Sequence, residues 1–245
     1  MKGWEIMQSI IKIEGDQREK AAIVFVHGSG CNKNIFVDIA ERIENYTKIA
    51  LDLTGHDDNY TKAPMSFEQY IQDVKEVIKD YDKVILVGHS LGGAVVLAVA
   101  AEGLANVTGV VGLDTGAKFA TAEEAFGIKE GEIPDLNLLE KALGNEGNIE
   151  IKEAMAEMES VDVMLTDLNI GQNVDIREDM QNIKCPVALI VGSNDTIAPV
   201  QLCRDLKSSI PECDYQVIPG CGHMMPVLVP DVVAKIIADF TYSLV

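Results

Sequence analysis

The chain has 245 residues and is 47% hydrophobic, enough for one large core or two small ones. No apolar run reaches the roughly 18 to 20 residues that a membrane-spanning helix needs. A formal net charge of −19 at pH 7 sets the protein against nucleic acid and anionic membrane surfaces, both of which would repel it at long range.

The opening stretch "MKGWEIMQSIIKIEGDQREK" alternates polar with apolar residues and lacks the apolar block of a signal peptide. A cytoplasmic location is therefore expected, and "EIMQSIIKIEG" is read as one edge strand. Six short, β-branched runs follow: "AAIVFVHG" (21–28), "TKIALDL" (47–53), "KVILVGH" (83–89), "VTGVVGLD" (107–114), "PVALIVGSND" (186–195) and "DYQVIPG" (214–220). Helical spacing lies between and after them, in Phe67, Ile71, Val74, Ile78 and Tyr81, in "AVVLAVAA" after residue 93, and in Val229, Val232, Val233, Ile236, Ile237 and Phe240. Ser66 and Gln69 have the spacing of a capping box at the head of the first helix. Near-continuous apolar strands alternating with helices predict an α/β fold: a mostly parallel sheet flanked by helices and buried on both faces.

The rhythm breaks between residues 117 and 183, which contain 16 acidic and 5 basic residues and no clear strand. An insertion of that length should carry its own helices, and "EIKEAMAEMESVDVML" (150–165) has an amphipathic pattern. The expected division is a core of residues 1–116 and 184–245 with a helical cap of residues 117–183 over the strands' carboxyl ends. Met155, Met158 and Met164 either pack this cap onto the body or, with Met224, line an adaptable apolar pocket. The acidic surplus is a solvated surface, or it borders an entrance that disfavours anionic substrates.

Ligands of open α/β sheets bind beyond the carboxyl ends of the strands, where "HGSG" (27–30), "GHSLGG" (88–93), "GSNDTIAP" (192–199) and "GCGHMMP" (220–226) fall. The second fits G-x-S-x-G between a strand run and a helical run, the context in which that motif holds a serine on a sharp turn with helix amides beside it. A serine hydroxyl needs a base, and the base needs an acid to fix its tautomer. His223 and Asp195 follow the last two strand runs and supply both, in the order Ser90, Asp195, His223. Asp114 also ends a strand and is the competing acid. His27 and His89 are expected to shape their own turns, and His56 lies in the loop after the second run.

Five cysteines, Cys31, Cys185, Cys203, Cys213 and Cys221, are odd in number and form no CxxC pair, so reduced thiols are expected. Cys31 and Cys221 lie near the motifs and could face one pocket. With no Walker-type loop and no paired metal-ligand histidines, neither a cofactor nor a metal is expected.

From about Ile23 onward, the order and spacing of "FVHGSG", "LDLTGH", "GHSLGG", "VGSNDTIAP" and "GCGHMMP" resemble the α/β-hydrolase fold family, in its small capped esterase and lipase form. The resemblance implies Ser90 as nucleophile, His223 as general base and acid, Asp195 as orienting carboxylate, and the backbone amides of Ser29 and Leu91 as oxyanion hole. It departs from the family before Ile23, where there is room for little more than one strand. Serine rather than aspartate at the nucleophile position argues against dehalogenase or epoxide-hydrolase chemistry. The implied reaction is hydrolysis of a small or medium carboxylic ester through an acyl-enzyme, the partner being a small-molecule acyl substrate. Thioester, amide, lactone and C–C bond cleavage use the same groups, and a non-catalytic ligand receptor on this fold is the alternative from another class.

Overall fold

The six β-branched runs become the parallel body of a single sheet. In the computed structural model, which describes residues 4–7, 10–13, 15, 21–57, 59, 63–129, 143 and 159–244, the strands are β1 (Trp4–Met7), β2 (Ile10–Ile13), β3 (Ala21–Val26), β4 (Thr47–Leu51), β5 (Lys83–His89), β6 (Val107–Leu113), β7 (Val187–Gly192) and β8 (Cys213–Ile218). Their spatial order is β1-β2-β4-β3-β5-β6-β7-β8. From β4 to β8 every neighbouring pair is parallel.

The N-terminal expectation of one edge strand is corrected. Two strands form there, antiparallel to each other, and β2 runs antiparallel to β4. Two four-residue strands fit into the space that suggested one, and the sheet reaches eight strands.

Helices cover both faces. Alternate residues of each buried strand point to opposite sides. Val24 and Val26 of β3 join the cluster packed against α2 (Phe67–Ile78), α3 (Leu91–Ala101) and α6 (Val200–Ser209), whereas Ile23 and Phe25 join the cluster under α1 (Val37–Arg42) and the C-terminal α7 (Pro230–Leu244). The interior of α3 is apolar on every side because it is buried all round. Two details differ from expectation. Ser66 caps α2 by accepting from the Gln69 amide at 3.1 Å, but the Gln69 side chain turns to Asp73 instead of completing the box. In α7 the buried face is Val233, Ala234, Ile237 and Thr241, and Val232, one residue off that stripe, faces solvent.

Between β6 and β7 the described helices are α4 (Ala122–Phe126), opened by a complete Thr121/Glu124 capping box, and α5 (Val161–Gln172), whose N-cap is Ser160. A helix running unbroken from 150 to 165 is therefore overturned at residues 159 and 160; residues 161–165 begin α5, and residues 150–158 lie outside the described residues. Glu159 and Ser160 are not helical, because Ser160 takes an extended conformation and accepts the Val163 amide. Beyond α5, Val174, Ile176, Met180 and Ile183 return to the main core.

Backbones pack closely where β5 meets α3. A β-carbon on Gly92 would sit 2.3 Å from the His27 carbonyl oxygen and 2.4 Å from that of Val26. Both are backbone atoms of β3 and its following loop, so neither can move without displacing the sheet. We therefore expect Gly92→Ala to lower stability by about 3 kcal/mol, at the upper end of overpacking costs. Urea denaturation measures it, and an unchanged midpoint would contradict this packing.

Candidate active site

Strand β5 ends in Gly88 and His89, and α3 starts at Leu91, leaving Ser90 to make the whole turn. Ser90 has φ 51° and ψ −121°, a region side chains rarely occupy. Its amide donates to the Leu113 carbonyl at 2.9 Å, and its carbonyl accepts from the Thr115 hydroxyl at 2.7 Å and the Gly93 amide at 2.9 Å. Both sides of the strained residue are thus tied to the sheet and helix, which is how such a conformation persists.

The structure brings Ser90, His223 and Asp195 into one hydrogen-bonded line. His223 Nε2 lies 3.0 Å from Ser90 Oγ, and His223 Nδ1 lies 2.8 Å from Asp195 Oδ2. The other Asp195 oxygen accepts from the amides of Ile197 and Ala198, at 2.8 and 2.9 Å. Burial would raise the Asp195 pKa, but the attraction of His223 and these donors outweighs it and holds the carboxyl below its ordinary value.

The competing acid is adjacent. Asp114, also at positive φ (46°), follows β6, is fully buried, and accepts the Gly192 amide at 2.8 Å through Oδ1, while Oδ2 has no hydrogen-bond partner. Burial first, and then the charge of Asp195, push its pKa well above the ordinary carboxylate value. Two neighbouring carboxyls are thereby driven apart: the ionised form is favoured at Asp195, which is bound to His223, and disfavoured at Asp114.

Of the remaining histidines, His27 bonds within its own turn as expected, whereas His89 does not and reaches across to the His223 loop. His89 donates from Nε2 to the His223 carbonyl at 2.8 Å, and burial followed by His223 lowers its pKa to about 3. His27 lies 3.0 Å from the Gly28 carbonyl through Nδ1 and accepts the Leu53 amide at Nε2, 3.1 Å away. His56 reaches Asp167, a residue that no sequence motif marked. A carboxyl oxygen of Asp114 and ring nitrogens of His89 and His223 lie within 4.8 Å of one another, the spacing of metal ligands. Both His223 nitrogens are already engaged, so binding an ion there would break the line to Ser90.

A cleft opens above Ser90. Ser29 and Leu91 border it beside Ser90 and His223, and its walls are predominantly apolar, including Leu143, Met164, Leu168, Ile197 and Met224. Of the four methionines singled out in the sequence, Met164 and Met224 line this cleft, whereas Met155 and Met158 lie outside the described residues. Leu143, Leu168 and Ile197 carried no signal beyond being apolar. The Leu143 carbonyl also accepts the His223 amide at 2.8 Å. Cys31 lines this cleft and Cys221 does not, packing instead in the cluster under α1 and α7, so the two do not share it. Burial pushes each thiol up to about 12.

A family model described as the alpha/beta hydrolase family matches residues 23–236. The chain belongs to that family and is a hydrolase. It is 27% identical, over 89% of its length and 92% of the relative's, to the pimeloyl-[acyl-carrier protein] methyl ester esterase of Wigglesworthia glossinidia brevipalpis. Among solved structures it resembles a lipase-esterase related protein from Clostridium acetobutylicum ATCC 824, with TM-score 0.87, 28% identity, and coverage of 96% of this chain and 100% of the other. A thermophilic esterase superposes with TM-score 0.81 at 25% identity, covering 96% of this chain and 94% of that one.

Asp114 provides a pH test. A carboxyl whose folded pKa is raised contributes full stability below its unfolded value near 3.8, and loses it progressively as pH rises toward the folded pKa. Asparagine has no such loss and keeps the acceptor for Gly192. Asp114→Asn should therefore melt above wild type at pH 8, by about 2 to 4 °C per kcal/mol gained, with a smaller difference at pH 5. Thermal melts at the two pH values check this, and a pH-independent difference would contradict a raised Asp114 pKa.

Proposed function

We propose that the protein is a serine esterase acting on small or medium, uncharged carboxylic esters through an acyl-enzyme. The observation that carries this reading is the unbroken hydrogen-bonded line from Ser90 through His223 to Asp195 at the floor of an apolar cleft. With Nδ1–H donated to the ionised Asp195, His223 presents a bare Nε2 to the Ser90 hydroxyl. As Ser90 Oγ bonds to the ester carbon, its proton passes to Nε2 and the carbonyl electrons move onto oxygen. The amides of Leu91, first residue of α3, and Ser29 receive that oxyanion, since the first N–H groups of a helix have no intrahelical acceptor. Collapse expels the alcohol, which takes the proton from His223. Water, deprotonated by the same nitrogen, then releases the acid and restores Ser90.

The substrate class follows from the walls. Met164, Met224, Leu143 and Ile197 suit an apolar acyl chain, and Gly171 and Ala125 leave it room. No acidic or lysine or arginine side chain lines the cleft among the described residues, so a charged acyl group would be desolvated without a partner. The esterase names of the relatives agree with this chemistry. Residues 117–183 act as the cap in this scheme, with residues 174–183 as its return leg into the core. The steps use the chain's own side chains and backbone amides together with water. A cytoplasmic protein with net charge −19 fits a neutral substrate better than an anionic one.

A panel of p-nitrophenyl esters and thioesters of increasing acyl length tests the assignment. Short and medium oxygen esters should turn over fastest. Ser90→Ala should abolish the activity and Asp195→Asn should lower kcat by about 10⁴-fold, whereas Asp114→Asn should have a much smaller effect. An equally active Ser90→Ala would end the proposal, and a larger loss at Asp114 than at Asp195 would move the orienting acid.

A further inference from the structure

A second buried polar cluster lies beside the cleft, and its acid comes from the segment between β6 and β7. Asp167 on α5 is only 1% exposed and accepts three hydrogen bonds. Tyr70 Oη donates to Oδ1 at 2.6 Å, and Oδ2 receives His56 Nε2–H and the Gly30 amide, each at 2.8 Å. Burial would lower the His56 pKa, but Asp167 outweighs it and raises the value, so the imidazole can share the buried charge.

Gly30 is the last residue of "HGSG". Its amide is held by Asp167, and its carbonyl accepts the Glu159 amide at 2.8 Å, so both polar groups of this residue are gripped from the same distant segment. Glu159 also accepts the Asp57 amide through Oε1 at 2.9 Å. Gly30 has φ 65°, a conformation that glycine adopts freely and that nothing in the side-chain chemistry of the loop would enforce. On its other side, the Gly28 carbonyl accepts from the Cys31 amide at 3.2 Å and lies 3.0 Å from His27 Nδ1. In a trans peptide the N–H points opposite to the C=O, so turning the Gly28 carbonyl into the loop turns the Ser29 N–H out of it. Ser29 borders the cleft that holds Ser90.

We propose that Asp167 is a positioning residue for the oxyanion hole: anchored by His56 and Tyr70, it clamps the Gly30 amide, so the Ser29 N–H is correctly aimed only while α5 is docked. This rests on the esterase reading for its catalytic consequence. The clamp itself is a statement about the 28–32 backbone and can be tested apart from turnover.

The experiment compares wild type with Asp167→Ala, Asp167→Asn and Tyr70→Phe. It measures kcat and KM for p-nitrophenyl butyrate and amide hydrogen exchange at Ser29 and Gly30, with core amides such as Val87 as reference. Asp167→Ala should lower kcat by about 10²-fold, the scale of losing one oxyanion donor, with KM little changed and exchange faster at Gly30 than at Val87. Asp167→Asn, which retains an acceptor for Gly30, should recover most of kcat. Tyr70→Phe, which removes one anchor of Asp167 but leaves the bonds to Oδ2, should give a partial loss of kcat, between wild type and Asp167→Ala. If Asp167→Ala does not fold, Asp167→Ser keeps a hydroxyl in the cluster without the reach to Gly30 and should show the same losses. Unchanged kcat in the alanine or serine variant with a lowered melting temperature would reduce Asp167 to a prop for α5 and overturn the proposal. So would exchange that quickens equally at Val87. If wild type hydrolyses no ester, the esterase reading fails, and the exchange comparison alone still decides the clamp.

Discussion

The constraint on which the site depends is the single-residue turn at Ser90. A residue with φ 51° stores backbone strain on the order of 1–3 kcal/mol, and the surrounding packing has to hold it. Side-chain-free neighbours make that packing possible. A β-carbon on Gly88 would lie 2.3 Å from the Gly92 carbonyl oxygen, and one on Gly93 would lie 2.5 Å from the Thr115 side chain. The strand, the helix and the loop after β3 therefore approach one another at backbone distance. The hydroxyl of Ser90 is lifted to the cleft as a result, with the N-terminus of α3 directly behind it.

Electrostatics separates groups that are chemically alike. Asp195 and Asp114 are both buried, yet Asp195 has His223 and two amides to stabilise its charge, whereas Asp114 has the Gly192 amide and a charged neighbour. The ionised form is favoured at Asp195 and disfavoured at Asp114. His89 and His223 divide similarly: His89, driven neutral, donates to the backbone of the His223 loop, and His223 is left with a nitrogen for each partner. The fold thus concentrates the negative charge on the carboxyl that bonds the imidazole.

The segment between β6 and β7 reaches the site at several points. It touches the loop after β3 through Glu159 and Asp167, the His223 backbone through Leu143, and the cleft wall through Met164 and Leu168. All of these contacts converge on the carboxyl-terminal edge of the sheet. Parallel strands bring their loops together there, and the β6–β7 segment leaves the sheet from that same edge.

Much of this was legible in the residues. β-Branched runs, separated by helical spacing and ending in glycine or aspartate, state the strands and their parallel arrangement because burial on both faces demands apolar residues in succession. Ser90, Asp195 and His223 were legible because each follows such a run within a glycine-marked turn. The short N-terminal strands were not, since four residues hold too little of a pattern to count twice. Tyr70, His56 and Asp167 were not either, because a buried polar residue looks like a surface one until its partners are known. Which of two strand-end aspartates bonds the histidine is a matter of direction and distance across the sheet. Local pattern carries no information about either, and the packing of β6, β7 and β8 supplies both.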